Sequence, residues 1–171
     1  MRTATDFDAY YQSPDPWGIS QASRRDRALL RVVGPYVADK AVLELGCGKG
    51  HLTRSIFGGA RSVTGIDISN VAIQRSKAAN IPNARFENSD FLETPFAGYD
   101  VIAAIECLYY LSPSEQEDFF RKLASEHTGI FVLSAPIIGS NEHRTYFTHD
   151  GITRRFAHHG LELIDARNLN A

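Results

Sequence analysis

The segment Val42-Leu43-Glu44-Leu45-Gly46-Cys47-Gly48-Lys49-Gly50 joins an apolar run, a carboxylate and three glycines at alternate positions. The apolar run reads as a buried strand. The glycines read as a tight turn in which backbone approaches a ligand closely, because a residue without Cβ tolerates positive φ and leaves room. Further on, Ser62-Val63-Thr64-Gly65-Ile66-Asp67 is a second short strand that also ends in a carboxylate. An acid at the end of the second strand of a βαβ unit is placed to accept hydrogen bonds from a ribose diol. Together the two segments point to a nucleoside-type cofactor held at the carboxyl ends of parallel strands.

The glycine spacing separates two kinds of cofactor. A dinucleotide site needs G-x-G-x-x-G, with pyrophosphate on the helix N-terminus. Here the spacing is G-x-G-x-G, and Glu44 just before it disfavours a phosphate but suits a sulfonium or an ammonium. This pattern resembles motif I of the class I methyltransferases that use S-adenosylmethionine, and the resemblance covers roughly residues 39–166. It implies an α/β, Rossmann-like fold with a mostly parallel twisted sheet in the order 3-2-1-4-5-7-6 and helices on both faces. It also implies S-adenosylmethionine as cofactor and S-adenosylhomocysteine as product; no Asp/Asp/Asn set for a divalent metal is evident, so no metal is expected. Gly46, Cys47, Gly48 and Gly50 would wrap the methionine and ribose portions. Asp67 would take the ribose hydroxyls, and Ile68 would press on the adenine or else be a core residue. In Asn88-Ser89-Asp90-Phe91, Asp90 would accept from the adenine amino group and Phe91 would pack on the ring; Asp90 also reads as a cap or turn residue. The fourth strand ends Ala104-Ile105-Glu106-Cys107-Leu108-Tyr109-Tyr110-Leu111. The resemblance places Ile105 and Glu106 beside the methionine part, and Tyr109 or Tyr110 toward the acceptor, the other being wall packing.

Asp15-Pro16-Trp17, an Arg-rich helix after it, and Leu108-Tyr109-Tyr110-Leu111 are similar to the nodulation-type N-methyltransferases. That resemblance implies an amino group on a glucosamine unit as acceptor. Trp17 would cover the sulfonium or the ring by cation–π contact, or staple the arm to the domain. Arg24 or Arg25 would reach the cofactor carboxylate with a charge-assisted bond. Methyl transfer is a direct displacement in which alignment dominates; a neutral amine needs no base, whereas a hydroxyl benefits from one. The candidates for that base are Glu106, His143, Tyr109, Tyr110 and His149. His143 and Arg144 lie in the loop after the fifth strand, where acceptor-binding residues fall in this fold. With the tyrosines they predict a polar, aromatic-walled pocket for a small polar acceptor, such as a sugar. His158 and His159 sit at a helix C-terminus and read as structural.

The elements that must position these groups follow from pattern. Residues 1–20 carry Phe7, Tyr10, Tyr11, Pro14, Pro16 and Trp17, too many aromatics for a disordered tail, and read as an ordered arm or lid. Helices are predicted over 20–37, 51–57, 69–79, 114–126 and 150–158, with Ser69 and either Ser112 or Ser114 as caps and Gly160 as a stop. Strands are predicted over 41–45, 62–67, 84–87, 100–105, 129–134 and 161–166. The alternation of strands and helices calls for a mostly parallel sheet. A seventh strand is missing, supplied by the last residues, or lost from a fragment. The 171 residues read as one domain, 1–37 being arm and helix and 38–171 the core.

Composition excludes several classes. A net charge of −2 with no basic run offers no footprint for nucleic acid. No apolar run approaches the ~20 residues of a membrane span. The first residues lack a signal-peptide core. Two cysteines are too few for a disulfide scaffold or a zinc site and fit a reducing cytoplasm. An NAD-dependent oxidoreductase would need G-x-G-x-x-G and commonly Tyr-x-x-x-Lys. An adenine amino-methyltransferase would carry Asn/Asp-Pro-Pro-Tyr after the fourth strand. Neither occurs. The remaining alternative is a catalytically silent module that binds S-adenosylmethionine, or a subunit of a larger enzyme.

Overall fold

Val, Ile, Leu and Ala dominate the strands, so that both faces of the sheet are apolar and both need a cover. The computed structural model describes residues 3–16, 18, 23–136 and 144–169. Its strands are β1 (Ala41–Leu45), β2 (Ser62–Asp67), β3 (Ala84–Asn88), β4 (Val101–Ile105) and β5 (Ile130–Ser134). They form one sheet in the order β3-β2-β1-β4-β5, and every neighbouring pair is parallel. The helices are α1 (Ala4–Tyr10), α2 (Ser23–Val37), α3 (His51–Ile56), α4 (Asn70–Ala78), α5 (Pro113–Glu126) and α6 (His149–His158).

Strand alternation sorts the core into two layers. Leu43, Leu45, Ile102 and Ala104 face α5 and pack on Phe119, Phe120 and Leu123. Val42, Val63, Val101, Ala103 and Ile105 face the other way, onto Leu29, Val33 and Val37 of α2 and Ile56 of α3. The chain order reverses at β1, which pairs with β2 on one side and β4 on the other. In open parallel sheets such a reversal leaves a crevice outside the carboxyl ends of the strands, where ligands bind.

Local chemistry starts the helices. Ser69 accepts from Ala72 N–H at the head of α4. Ser112 and Glu115 form a reciprocal capping box on α5, with Pro113 in its first turn. α6 begins at His149 rather than at the expected Asp150, because the Thr148 hydroxyl accepts from Gly151 N–H. The expected arm contains α1, capped by Thr3 and Asp6. It is tied to the sheet's ligand end: Asp8 accepts from the Ser69 hydroxyl at 2.6 Å and from Val71 N–H at 3.1 Å. Arg75 donates to the carbonyls of Ser13 and Gln12, and Lys49 to that of Pro14.

The expected strand over 161–166 does not form, and residues 161–169 carry no regular element. In the implied order the sixth strand is separated from the fifth by the seventh. The sheet of the described residues ends at β5, so this segment has no neighbour with which to build a ladder. Among the described residues, no helix is long and apolar enough to cross a membrane.

Candidate active site

β1 delivers the chain into the glycine turn with left-handed backbone at Gly46 (φ +67°) and Gly48 (φ +53°). A Cβ on Gly46 would come within 2.8 Å of Cys107 Cβ, and one on Gly48 within 2.6 Å of the Tyr11 hydroxyl. The turn therefore needs glycine for conformation and for space. Gly50 also has positive φ, but its neighbours are Ile81, Phe86 and Ser76, in the packing between α4 and β3.

Asp67, at the end of β2, ties this turn down. One carboxylate oxygen accepts from Gly48 N–H and the other from Ser69 N–H, both at 2.9 Å. The side chain is only 6% exposed. Burial raises its pKa to about 6 although both backbone N–H groups favour the charged form. Each oxygen keeps a lone pair, so a donor from the cavity can still be accepted.

Between these elements lies a cavity of about 490 Å³, within the range of small-molecule sites. Gly46, Cys47, Gly48, Asp67, Ile68, Asp90 and Phe91 line one part of it. Asp90 also accepts from Leu92 N–H at 2.9 Å, so it shapes its own turn while facing the cavity. Arg25, Ile105, Glu106, Tyr109 and Tyr110 line the remainder, together with Phe7 and Tyr11 of the arm. Cys47 and Cys107 are buried, and burial pushes both thiols up, so neither is a thiolate nucleophile.

Glu106 sits just past β4 with φ +57°, a conformation unusual for a residue with a side chain. Its backbone N–H donates to the Ser134 carbonyl at 2.7 Å, and its Oε1 accepts from the Ser134 hydroxyl at 2.8 Å. The same oxygen lies 3.4 Å from Arg25 Nη2. Of the two arginine candidates, Arg25 lines the cavity and Arg24 is exposed outside it. Tyr109 is buried, and burial followed by its Tyr110 neighbour pushes its phenol well above the ordinary value. It is a hydrogen-bond donor at neutral pH rather than a base. Tyr110 meets Phe7 edge to face with centroids 5.1 Å apart. Arg144 lies over both tyrosine rings, 4.8 Å from the centroid of Tyr109 and 5.2 Å from that of Tyr110.

Glu44 departs from the expected placement. It does not line the cavity; it lies beneath α3, 2% exposed, and accepts a short hydrogen bond from the Thr53 hydroxyl. Burial raises its pKa to about 8. The reason is strand parity, since Glu44 shares the face of Val42, which packs against α2 and α3. Gly50 likewise stands behind the cavity wall. His149 is exposed and outside the cavity. Trp17 and His143 lie outside the described residues. His158 and His159 sit away from the cavity, where His159 Nε2 is 3.0 Å from Glu117 Oε1.

Sequence reasoning missed His51. It lines the cavity at the first position of α3, and its Nε2 lies 2.6 Å from Asp26 Oδ2 on α2. Lys49 and Glu115 also line the cavity unforeseen. Lys49 stands in the glycine motif, but the reading of that motif used only its glycines, its cysteine and its acid.

Residues 42–126 match the family model described as a methyltransferase domain. Nodulation protein S of Azorhizobium caulinodans is 24% identical in an alignment 166 residues long that covers 91% of this chain and 79% of that protein. Among solved structures, the complex of DhpI with S-adenosylhomocysteine superposes with a TM-score of 0.74 at 20% identity, covering 92% of this chain and 85% of the other. The N-methyltransferase NodS of Bradyrhizobium japonicum, in complex with S-adenosylhomocysteine, gives a TM-score of 0.66 at 23% identity, covering 77% and 72%. The 1,6-didemethyltoxoflavin-N1-methyltransferase of Burkholderia thailandensis gives 0.69 at 20% identity, covering 91% and 75%. The matched span holds the glycine turn on β1 and the acid closing β2, and the chain is a class I S-adenosylmethionine-dependent methyltransferase.

Proposed function

We propose that the cavity holds S-adenosylmethionine along the carboxyl ends of β1, β2 and β4, and that its methyl group passes to an amino or hydroxyl group of a small polar acceptor. The observation that carries this reading is Asp67: a buried carboxylate, fixed by two backbone N–H groups, faces the cavity beside a turn with no room for a Cβ. In this reading Asp67 takes the ribose hydroxyls, while Asp90, Phe91 and Ile68 surround the adenine. Arg25 and Glu106 receive the carboxylate and the ammonium of the methionine part, exchanging their mutual ion pair for the two ends of a zwitterion. Glu44, sealed under α3, supports the turn and does not touch the cofactor.

The bound cofactor supplies a methyl carbon on a sulfonium, and the acceptor's lone pair forms the new bond as the carbon–sulfur pair leaves with sulfur. The protein's part is alignment and exclusion of water. Phe7 and Tyr11 close the cavity from the arm side, and Tyr109 and Tyr110 form its acceptor wall. An amine acceptor needs only to arrive neutral, which agrees with the phenol of Tyr109 being a donor. For a hydroxyl acceptor, Glu106 is the base within the described residues and His143 the one outside them. The likeness to nodulation proteins supports an amine, with an amino sugar as one form of it. The net charge of −2 and the size of the cavity favour a metabolite over nucleic acid. Labelled S-adenosylmethionine with a panel of amino sugars, small amines, phenols and acids tests the reading. Label should pass to a small metabolite; transfer only to oligonucleotides or protein side chains would overturn it.

A further inference from the structure

Four cationic or potentially cationic side chains line the cavity, and three of them face a carboxylate. Arg25 lies 3.4 Å from Glu106, Lys49 lies 3.4 Å from Asp15, and His51 lies 2.6 Å from Asp26. Arg144 is different. No carboxylate of the described residues pairs with it. Its contacts are two aromatic faces, the hydroxyl of Tyr110, which accepts from Nη2 at 3.1 Å, and the side chain of Tyr146, with which it is hydrogen-bonded. Its Nε is enclosed and has no hydrogen-bond partner among the described residues.

A guanidinium stacked on aromatic rings is held by its faces, and its five N–H groups outnumber the two tyrosine hydroxyls here, so donors remain to meet an anion. The next residue ties this stretch to the turn after β4, since Thr145 N–H donates to the Tyr109 carbonyl at 2.7 Å. An enclosed donor without a partner is costly, and a shift of the guanidinium toward an anion in the cavity would relieve that cost. The carboxylates nearest along the wall are already committed. Glu106 accepts from Ser134 and faces Arg25, and Glu115 accepts from the N–H and hydroxyl of Ser112.

We propose that Arg144, stacked on Tyr109 and Tyr110, selects an acceptor that carries an anionic oxyacid group, a carboxylate, phosphate or phosphonate, besides the nucleophile that is methylated. This rests on the reading of the cavity as a methyl-transfer site. It narrows the acceptor class, because a neutral sugar leaves the guanidinium edge unmet.

The test uses the full chain and two steps. Calorimetry with S-adenosylhomocysteine first tests the cofactor reading for the wild type, R144Q and R144K; all three should bind alike, because Arg144 is assigned to the acceptor. Thermal shift of the S-adenosylhomocysteine complex is then measured with short amines and alcohols, each in neutral amide, carboxylate and phosphonate forms. The acidic forms should stabilise the wild-type complex more than the amides. Their affinity should fall ~10-fold or more in R144Q, as loss of a hydrogen-bonded charge pair predicts. R144K keeps the charge without the fork and should fall between. Equal shifts from amide and acid, no shift from any acid, or acid affinity unchanged in R144Q would overturn the inference while the cofactor reading stands. Failure of the wild type to bind S-adenosylhomocysteine would take down the reading, and this inference with it.

Discussion

Replacing Asp67 by asparagine tests the cofactor geometry more sharply than alanine would, because the shape is kept. Each carboxylate oxygen already accepts a backbone N–H, from Gly48 on one side and Ser69 on the other. Asparagine must turn its NH₂ toward one of these donors, leaving a buried N–H unpaired at a cost of ~1–3 kcal/mol. Hydrogen bonds from ribose hydroxyls to a charged acceptor are worth ~1.5–3 kcal/mol each, so losing even one of them weakens binding ~10- to 100-fold. We therefore expect Asp67→Asn to raise the Kd for S-adenosylhomocysteine by ~10²-fold, with some loss of stability from the loosened turn. The pH dependence gives a second handle. Burial lifts the free carboxyl to about 6, above its ordinary value, so the folded protein without ligand holds this proton more tightly than the unfolded chain. Its contribution to stability is thus lost as pH rises from the ordinary carboxylate range through about 6. Ribose hydroxyls act the other way, since they stabilise the charged form. Wild-type affinity should be complete above about 6 and weaken by up to tenfold per pH unit below it. Calorimetry at several pH values between about 5 and 8 reads both effects. A variant Kd within twofold of wild type, or a wild-type Kd flat across that range, would refute the assignment.

Two further outcomes follow from the groups around the turn. Glu44 is raised from 4.5 to about 8 by burial, so the folded state holds its proton and stability should fall by ~1.4 kcal/mol per pH unit across that window. Glu44→Gln keeps a carbonyl for the Thr53 hydroxyl and should flatten this fall; equal slopes in thermal unfolding at pH values of about 6 and 8 would sink the argument. The arm is held by Asp8, Arg75 and Lys49 at the rim of the cavity, so hydrogen exchange over Ala4–Tyr10 should slow when S-adenosylhomocysteine is added. Identical exchange with and without ligand would leave the arm as fixed packing.

What could be read from sequence is local, and what could not is pairing. The strands β1 and β2, the glycine turn and the caps at Ser69 and Ser112 each follow from a few adjacent residues. The cavity is assembled from segments far apart, and periodicity says which face a residue takes but not what it meets there. Arg25 against Arg24 is the exception that was decidable. Arg25 lies four residues before Leu29, and Leu29, Val33 and Val37 at steps of four are the buried stripe of α2. That phase turns Arg25 toward the sheet and Arg24 away. The same logic bears on Glu44: Val42 and Glu44 share a strand face, so an acid there packs under α3 instead of at the strand end where a ligand sits. By contrast, the pair of His51 with Asp26 joins α3 to α2, that of Arg25 with Glu106 joins α2 to the end of β4, and neither leaves a mark in spacing. The segment 161–166 fails for a related reason: its residues suit an extended chain, but a strand is a property of two segments, and the second is not in the sheet. The acceptor wall is the extreme case. Phe7, Tyr109, Tyr110 and Arg144 come from the arm, the turn after β4 and the stretch before α6. These rings and the guanidinium meet only through the folded chain, and no short motif such as the glycine turn records that contact.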